Sequence, residues 1–152
     1  MVTIMSEVED LFNEAYCLDV VEEHHAEAIE LCRQALKVDP DNYRVKVFLG
    51  GLLGDHGNDQ EKIEARKLFL DAIEKAENPS LFCTTWPEET AIHHLGIWEW
   101  GQGHYSNAIL FFLIDWLVCH NSLSYDYLFE ILRESDPNMA KDIELILRRL
   151  KE

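Results

Sequence analysis

Hydrophobic and polar positions along this chain recur at helical spacing almost from end to end. In Glu7 to Val21, Leu11, Ala15 and Leu18 return at three- and four-residue steps, which sets them on one helix face. Ala28, Leu31, Cys32, Ala35 and Leu36 do the same in His24 to Val38, and Asp39-Pro40 then stops the helix. Val45, Leu49 and Leu52 mark Tyr43 to Leu53. Ile63, Leu68, Phe69, Ala72 and Ile73 mark Lys62 to Ala76, which closes at Asn78-Pro79. A fifth helix is predicted from Thr85 to Trp100, opened by a Thr85/Glu88 capping box and broken by Gly101 and Gly103. Tyr105 to Cys119, Leu123 to Arg133 and Pro137 to Leu150 complete the series, the last with a Ser135-Asp136-Pro137 start. No segment shows strand alternation, so the expected class is all-α.

Short links between consecutive helices predict antiparallel hairpins. Two links are longer. Gly54 to Gln60 is polar and flexible in composition, whereas Asn78 to Thr84 carries Leu81 and Phe82. Two readings of that apolar loop stand: it tucks under the neighbouring helices, or it touches a partner.

The helices also repeat. Ala28, Cys32 and Ala35 ahead of Pro40 match Ala65, Phe69 and Ala72 ahead of Pro79. Small residues at those places let two helices approach, and the larger residue fills the space beside them. Leu95-Gly96, Gly103, Tyr105, Ala108 and Phe112 give a third unit, and Leu49-Gly50 with Leu53 open the second. Leu11, Ala15 and Leu18 stand in for the first helix of the first unit. In this order and spacing the residues resemble the tetratricopeptide repeat over about residues 7–119. The third unit departs from the pattern with Asp115 at a usually small position, and it lacks a closing proline.

The resemblance implies a right-handed α-α superhelix of about three hairpins, near residues 7–40, 41–79 and 85–119 of one domain spanning 1–152. The helices of 122–151 would cap it, with Ile143, Ile146, Leu147 and Leu150 inward and Lys141, Arg148, Arg149 and Lys151 outward. It further implies a groove lined by the first helix of each hairpin. By register those positions are Glu9, Phe12, Tyr16 and Asp19, then Arg44, Val47 and Gly51, then Thr90, His93, Ile97 and Trp100. The same residues could instead pack against the cap or the loops. Repeats of this family that clamp acidic tails place lysine, arginine and asparagine where this chain has Phe12, Tyr16, Phe48, Thr90 and His94, so acidic tails are not the expected guest. Small acidic three-repeat proteins also resemble the chaperones of type III secretion, which usually carry an N-terminal dimerisation segment as well.

Charge narrows the partner. Asp and Glu number 29 against 13 Lys and Arg, a formal net charge of -16, and no Lys or Arg precedes Arg33. Nucleic acid and anionic membranes need the opposite sign. A basic or hydrophobic protein segment is expected, steered by the acidic N-terminal hairpin. Met1 to Asp10 has no secretory pattern, and the most apolar stretch, Ala108 to Cys119, is too short to span a bilayer. Cys17, Cys32, Cys83 and Cys119 lie far apart and read as thiols in a reducing, cytoplasmic setting.

The chemistry is sparse. Seven histidines include the adjacent pairs His24-His25 and His93-His94, whose members point apart on a helix. His94 beside Leu95 and Trp98 reads as a core or rim residue. No nucleophile elbow, P-loop, zinc-protease or dinucleotide motif is present. Trp98, Trp100, Tyr105, Phe111, Phe112 and Trp116 read as the core of the third hairpin rather than a small-molecule pocket. The expectation is therefore an adaptor or chaperone-like binding module that is not an enzyme and has no metal or cofactor. Its alternatives are a structural subunit of a larger helical assembly and an enzyme with an unrecognised pocket.

Overall fold

The computed structural model of the chain describes residues 4–78 and 90–151. Among the described residues there are eight α-helices and no strand. They are α1 (Ile4–Val20), α2 (His25–Val38), α3 (Tyr43–His56), α4 (Asp59–Lys75), α5 (Ala91–Gly101), α6 (Tyr105–Cys119), α7 (Ser122–Ser135) and α8 (Pro137–Lys151). The chain forms two compact units, Met1–Phe82 and Cys83–Glu152. Each holds two hairpins, α1/α2 with α3/α4 and α5/α6 with α7/α8.

Local chemistry sets the helix ends. The expected flexible loop of Gly54 to Gln60 is a tight link, with only Gly57 and Asn58 outside helix. Asn58 Oδ1 accepts from the Glu61 backbone N–H at 3.0 Å, and Glu61 Oε2 accepts from the Asn58 N–H at 2.9 Å. That reciprocal box starts α4 early and corrects the sequence-based boundary. The fifth helix begins at Ala91 with Thr90 as its N-cap, Oγ1 accepting from the His93 N–H at 3.1 Å. The predicted Thr85/Glu88 box, Pro79, and Leu81 and Phe82 lie outside the described residues. Asp136 Oδ1 accepts from the Met139 N–H at 3.0 Å, opening α8 at Pro137 as expected.

The same contact closes one hairpin in each unit. A Cβ built on Gly50 would lie 2.5 Å from Phe69 Cε1, and one on Gly96 would lie 2.6 Å from Phe112 Cε1. Glycine at these two positions lets a phenyl ring from the following helix rest directly on the backbone. Ala65 and Ala72 beside Phe69, and Ala108 beside Phe112, are fully or almost fully buried. In α2 the matching place holds Cys32, buried between Ala28 and Ala35, where burial and then Asp19 push its thiol up to about 12.

Ion pairs stitch the first unit. Lys46 Nζ, almost sealed from solvent, meets Asp71 Oδ2 at 2.5 Å and Asp41 Oδ1 at 3.2 Å. Burial pulls the pKa of this ammonium down, but hydrogen bonds to the two carboxylates outweigh it and leave it raised. Arg33 of α2 reaches Glu64 of α4 at 3.4 Å.

In the second unit Ala108 and Phe112 of α6 join Leu128, Phe129, Ile131 and Leu132 of α7 and Ala140 of α8 in one core. Ile143 and Leu147 pack against it, but Ile146 and Leu150, expected to face inward, are exposed. α8 covers the core with a narrower stripe than its sequence pattern suggests.

Cys17 and Cys32 are thiols, whereas Cys119 is disulfide-bonded. This corrects the reading of all four cysteines as thiols. Sequence distance carries no information on which sulfurs the fold brings together. Disulfides belong to oxidising compartments, so the cysteines no longer argue for a cytosolic setting.

Candidate functional site

The expected partner-facing positions fall into an open set and a sealed set. In the first unit α1 and α3, the leading helices of successive hairpins, share an aromatic face. Phe12 stacks on Tyr16 with centroids 6.4 Å apart, and Phe48 of α3 meets Phe12 at 5.3 Å and Tyr16 at 5.8 Å. The guanidinium carbon of Arg44 lies 4.2 Å from the Phe12 ring centroid, a cation–π contact at the rim. Within this cluster Tyr16 is 41% exposed and Arg44 is exposed, whereas Phe12 is buried. Val47 is buried as well.

Phe12 and Val47, expected to line the groove, are buried beneath this face, and its open part is carried by Tyr16 and Arg44. Helical register gives a face, and a residue at the centre of that face is covered by its own neighbours. Asp19 is half-buried and held by His25, whose Nδ1 lies 2.6 Å from Asp19 Oδ1.

In the second unit Ile97 is exposed, but Trp100 is half-buried, edge-on to Phe112 at 6.5 Å and Tyr127 at 5.7 Å. His93 is sealed, and so is Thr90. Both turn toward a buried polar cluster that spacing could not reveal. Asp115, with no exposed surface, accepts from Thr90 Oγ1 at 3.0 Å, from Ser124 Oγ at 2.6 Å and from Asn121 Nδ2 at 2.5 Å. His93 Nδ1 lies 2.6 Å from Ser124 Oγ and 3.8 Å from Asp115 Oδ2. Burial, and then His94, hold the His93 imidazole down at about 3. The neutral ring therefore donates its Nδ1–H to Ser124, whose own hydroxyl proton goes to Asp115. Burial raises the Asp115 carboxyl, while its hydrogen bonds to Ser124, Asn121 and Thr90 pull the other way.

Serine, histidine and aspartate in contact suggest a hydrolytic trio, but the arrangement is wrong for one. Ser124 Oγ donates directly to the aspartate, and the serine has no exposed surface for a substrate to meet. The cluster is a satisfied buried network that ties α5, α6 and α7 together.

The expected third-hairpin aromatics divide in the same way. Phe112 is fully buried, Trp98, Trp100, Phe111 and Trp116 are half-buried, and Tyr105 is 45% exposed at the start of α6. One apolar run on α6, Leu110, Ile114 and Leu117, is 46–60% exposed and is not part of the core.

A scan against protein-family models finds none that matches the chain, and no curated protein matches it in sequence. No helix among the described residues is long and apolar enough to cross a membrane.

Proposed function

We propose that this chain is a tetratricopeptide-type interaction module, not an enzyme, that holds a basic or hydrophobic segment of another protein against the leading helices of its hairpins. The observation that carries the reading is the joint aromatic face of α1 and α3. Phe12 and Phe48 form its floor, with Tyr16 and Arg44 open to a guest. Tyrosine and arginine at the rim of a buried aromatic floor are residues that dominate interface energies. The Gly50–Phe69 and Gly96–Phe112 contacts support the family reading, because both stand at the repeat's small and large positions. The acidity of α1 and α2 favours a basic guest by long-range attraction.

The test is fluorescence anisotropy with a panel of labelled basic and apolar peptides. Tyr16→Ala, folded by circular dichroism, is expected to weaken the tightest interaction about tenfold. Raised salt is expected to weaken basic peptides more than apolar ones. Affinities unchanged by Tyr16→Ala would remove the α1/α3 face from the proposal.

The α6 run of Leu110, Ile114 and Leu117 favours a second reading, a subunit held within a larger helical assembly. That reading expects the purified chain to self-associate in sedimentation and Leu117→Glu to release monomers. A wild-type monomer at all concentrations rejects it.

A further inference from the structure

Three helix ends of the first unit converge on one point. Asp19 lies in the last turn of α1, His25 opens α2, and His56 closes α3. One ligand atom from each lies within 4.8 Å of the other two. Asp19 Oδ1 and His25 Nδ1 are 2.6 Å apart, and the His25 and His56 rings are stacked at 3.6 Å with an interplanar angle of 9°. The chain reverses between α1 and α2 through Glu23, a non-glycine residue in the left-handed region at φ 56. The His24 N–H bonds to the Leu18 carbonyl at 2.8 Å, and this tight turn sets His25 back over Asp19.

We propose that Asp19, His25 and His56 form a binding site for a divalent transition-metal ion of the zinc class. Two imidazoles and one carboxylate are a borderline nitrogen–oxygen donor set. It suits zinc, cobalt, nickel or copper, and it is poor for magnesium or calcium, which want oxygen alone. Tetrahedral ligands about 2.0–2.1 Å from zinc stand about 3.3 Å from one another. The Asp19–His25 separation of 2.6 Å is shorter than that value, and all three ligand atoms already lie within 4.8 Å of one another. The carboxylate–imidazole hydrogen bond is the step that yields: zinc takes the place of the shared proton, and the two atoms move apart. Parallel rings cannot aim their lone pairs at one point, so His56 must turn out of the stack. As an exposed residue in the last turn of α3 it has room to do so. His25 and Asp19 are half-buried, which fixes two ligands and leaves the remaining coordination position to water or to a group brought by a partner. Glu22, Glu23 and Glu27, close in sequence to His25, add negative charge that favours a cation. A bound ion would fasten the ends of α1, α2 and α3, joining the two hairpins of the unit.

The full chain, freed of metal by chelator, is titrated with zinc in a calorimeter and with cobalt(II) by visible absorption. One ion per chain is expected, with the d–d bands of a low-symmetry, nitrogen-ligated cobalt site. Asp19→Asn and His56→Ala are each expected to weaken binding about 100-fold while the helical circular dichroism is kept. His24→Ala is the control, because His24 has its own carboxylate neighbours in Glu22 at 3.5 Å and Glu27 at 3.8 Å, and it is expected to bind as wild type does. The proposal is overturned by wild-type affinity in His56→Ala, by loss of binding in His24→Ala, or by the absence of a one-to-one cobalt spectrum.

Discussion

The Gly50–Phe69 hairpin and the Gly96–Phe112 hairpin solve one packing problem with opposite chemistry around it. Three residues before each glycine stand Val47 and His93, both buried, and three residues after each phenylalanine stand Ala72 and Asp115, also both buried. The first unit fills the flanking places with apolar side chains and puts its charge in the Lys46–Asp71 and Arg33–Glu64 pairs. The second fills the same places with an imidazole and a carboxylate, then supplies Thr90, Ser124 and Asn121 to satisfy them. The backbone approach is therefore set by the glycine and the ring alone. What flanks them decides whether a hairpin depends on hydrogen bonding and on pH.

All four tryptophans lie in the second unit, so their fluorescence reports on it selectively. The largest expected effect breaks the shared contact: Phe112→Ala, and equally Phe69→Ala, is expected to cost about 3–5 kcal/mol in urea unfolding. Tryptophan emission should follow the first, and far-ultraviolet circular dichroism the second. A loss under about 1 kcal/mol in either would deny that ring its place in the core.

Next comes the polar flank. Asp115→Ala strands three donors and is expected to cost about 3 kcal/mol. Adding His93→Val, which copies the first unit, is expected to recover part of that loss in a double-mutant cycle, and strict additivity would uncouple the two residues.

The acid limb is smaller. The His93 imidazole titrates near 3 in the fold against an ordinary value of 6.5, so on acidification the unfolded chain takes up that proton first. Its stabilising contribution is complete above pH 6.5 and is lost as pH falls toward 3. Asp115, raised by burial, has the opposite sign: its contribution is present at low pH and is lost as pH rises through its folded value. From pH 7 to pH 5 the second unit is expected to lose about 1–2 kcal/mol more than a His93→Val variant does. Parallel pH profiles would mean that His93 is not held neutral. The smallest change is Arg33→Ala, whose half-exposed pair with Glu64 is worth under about 1 kcal/mol and should fade in salt.

The periodic features were legible in the sequence. Helix identity followed from apolar spacing, and the nesting of Gly50 on Phe69 and of Gly96 on Phe112 followed from small residues set against a large one at repeated intervals. The site was legible only in part. Tyr16 and Ile97 are open as register implied, but Phe12, Val47 and His93 are covered, because a helical wheel does not say what lies across from it. Thr90 gave no capping-box signal, since the residue three positions on is His93 instead of Glu or Gln, although its hydroxyl does accept from the His93 N–H. Asp19, His25 and His56 belong to three different helix ends, and Thr90, His93, Asp115 and Ser124 to three elements, so no local spacing could have joined them.

Asn121 occupies the short connection from α6 to α7, just after His120 in the left-handed region at φ 54. Its Oδ1 accepts from the Leu123 N–H at 3.1 Å and the Ser124 N–H at 3.4 Å, while its Nδ2 donates to Asp115. One amide thus acts as a hinge pin between the start of α7 and the buried Asp115 carboxyl. If the last hairpin swings away, the opening turn of α7 unravels and the carboxylate loses a donor in the same motion. Partial detachment of α7 therefore gives up both sets of hydrogen bonds at once, which opposes local opening there.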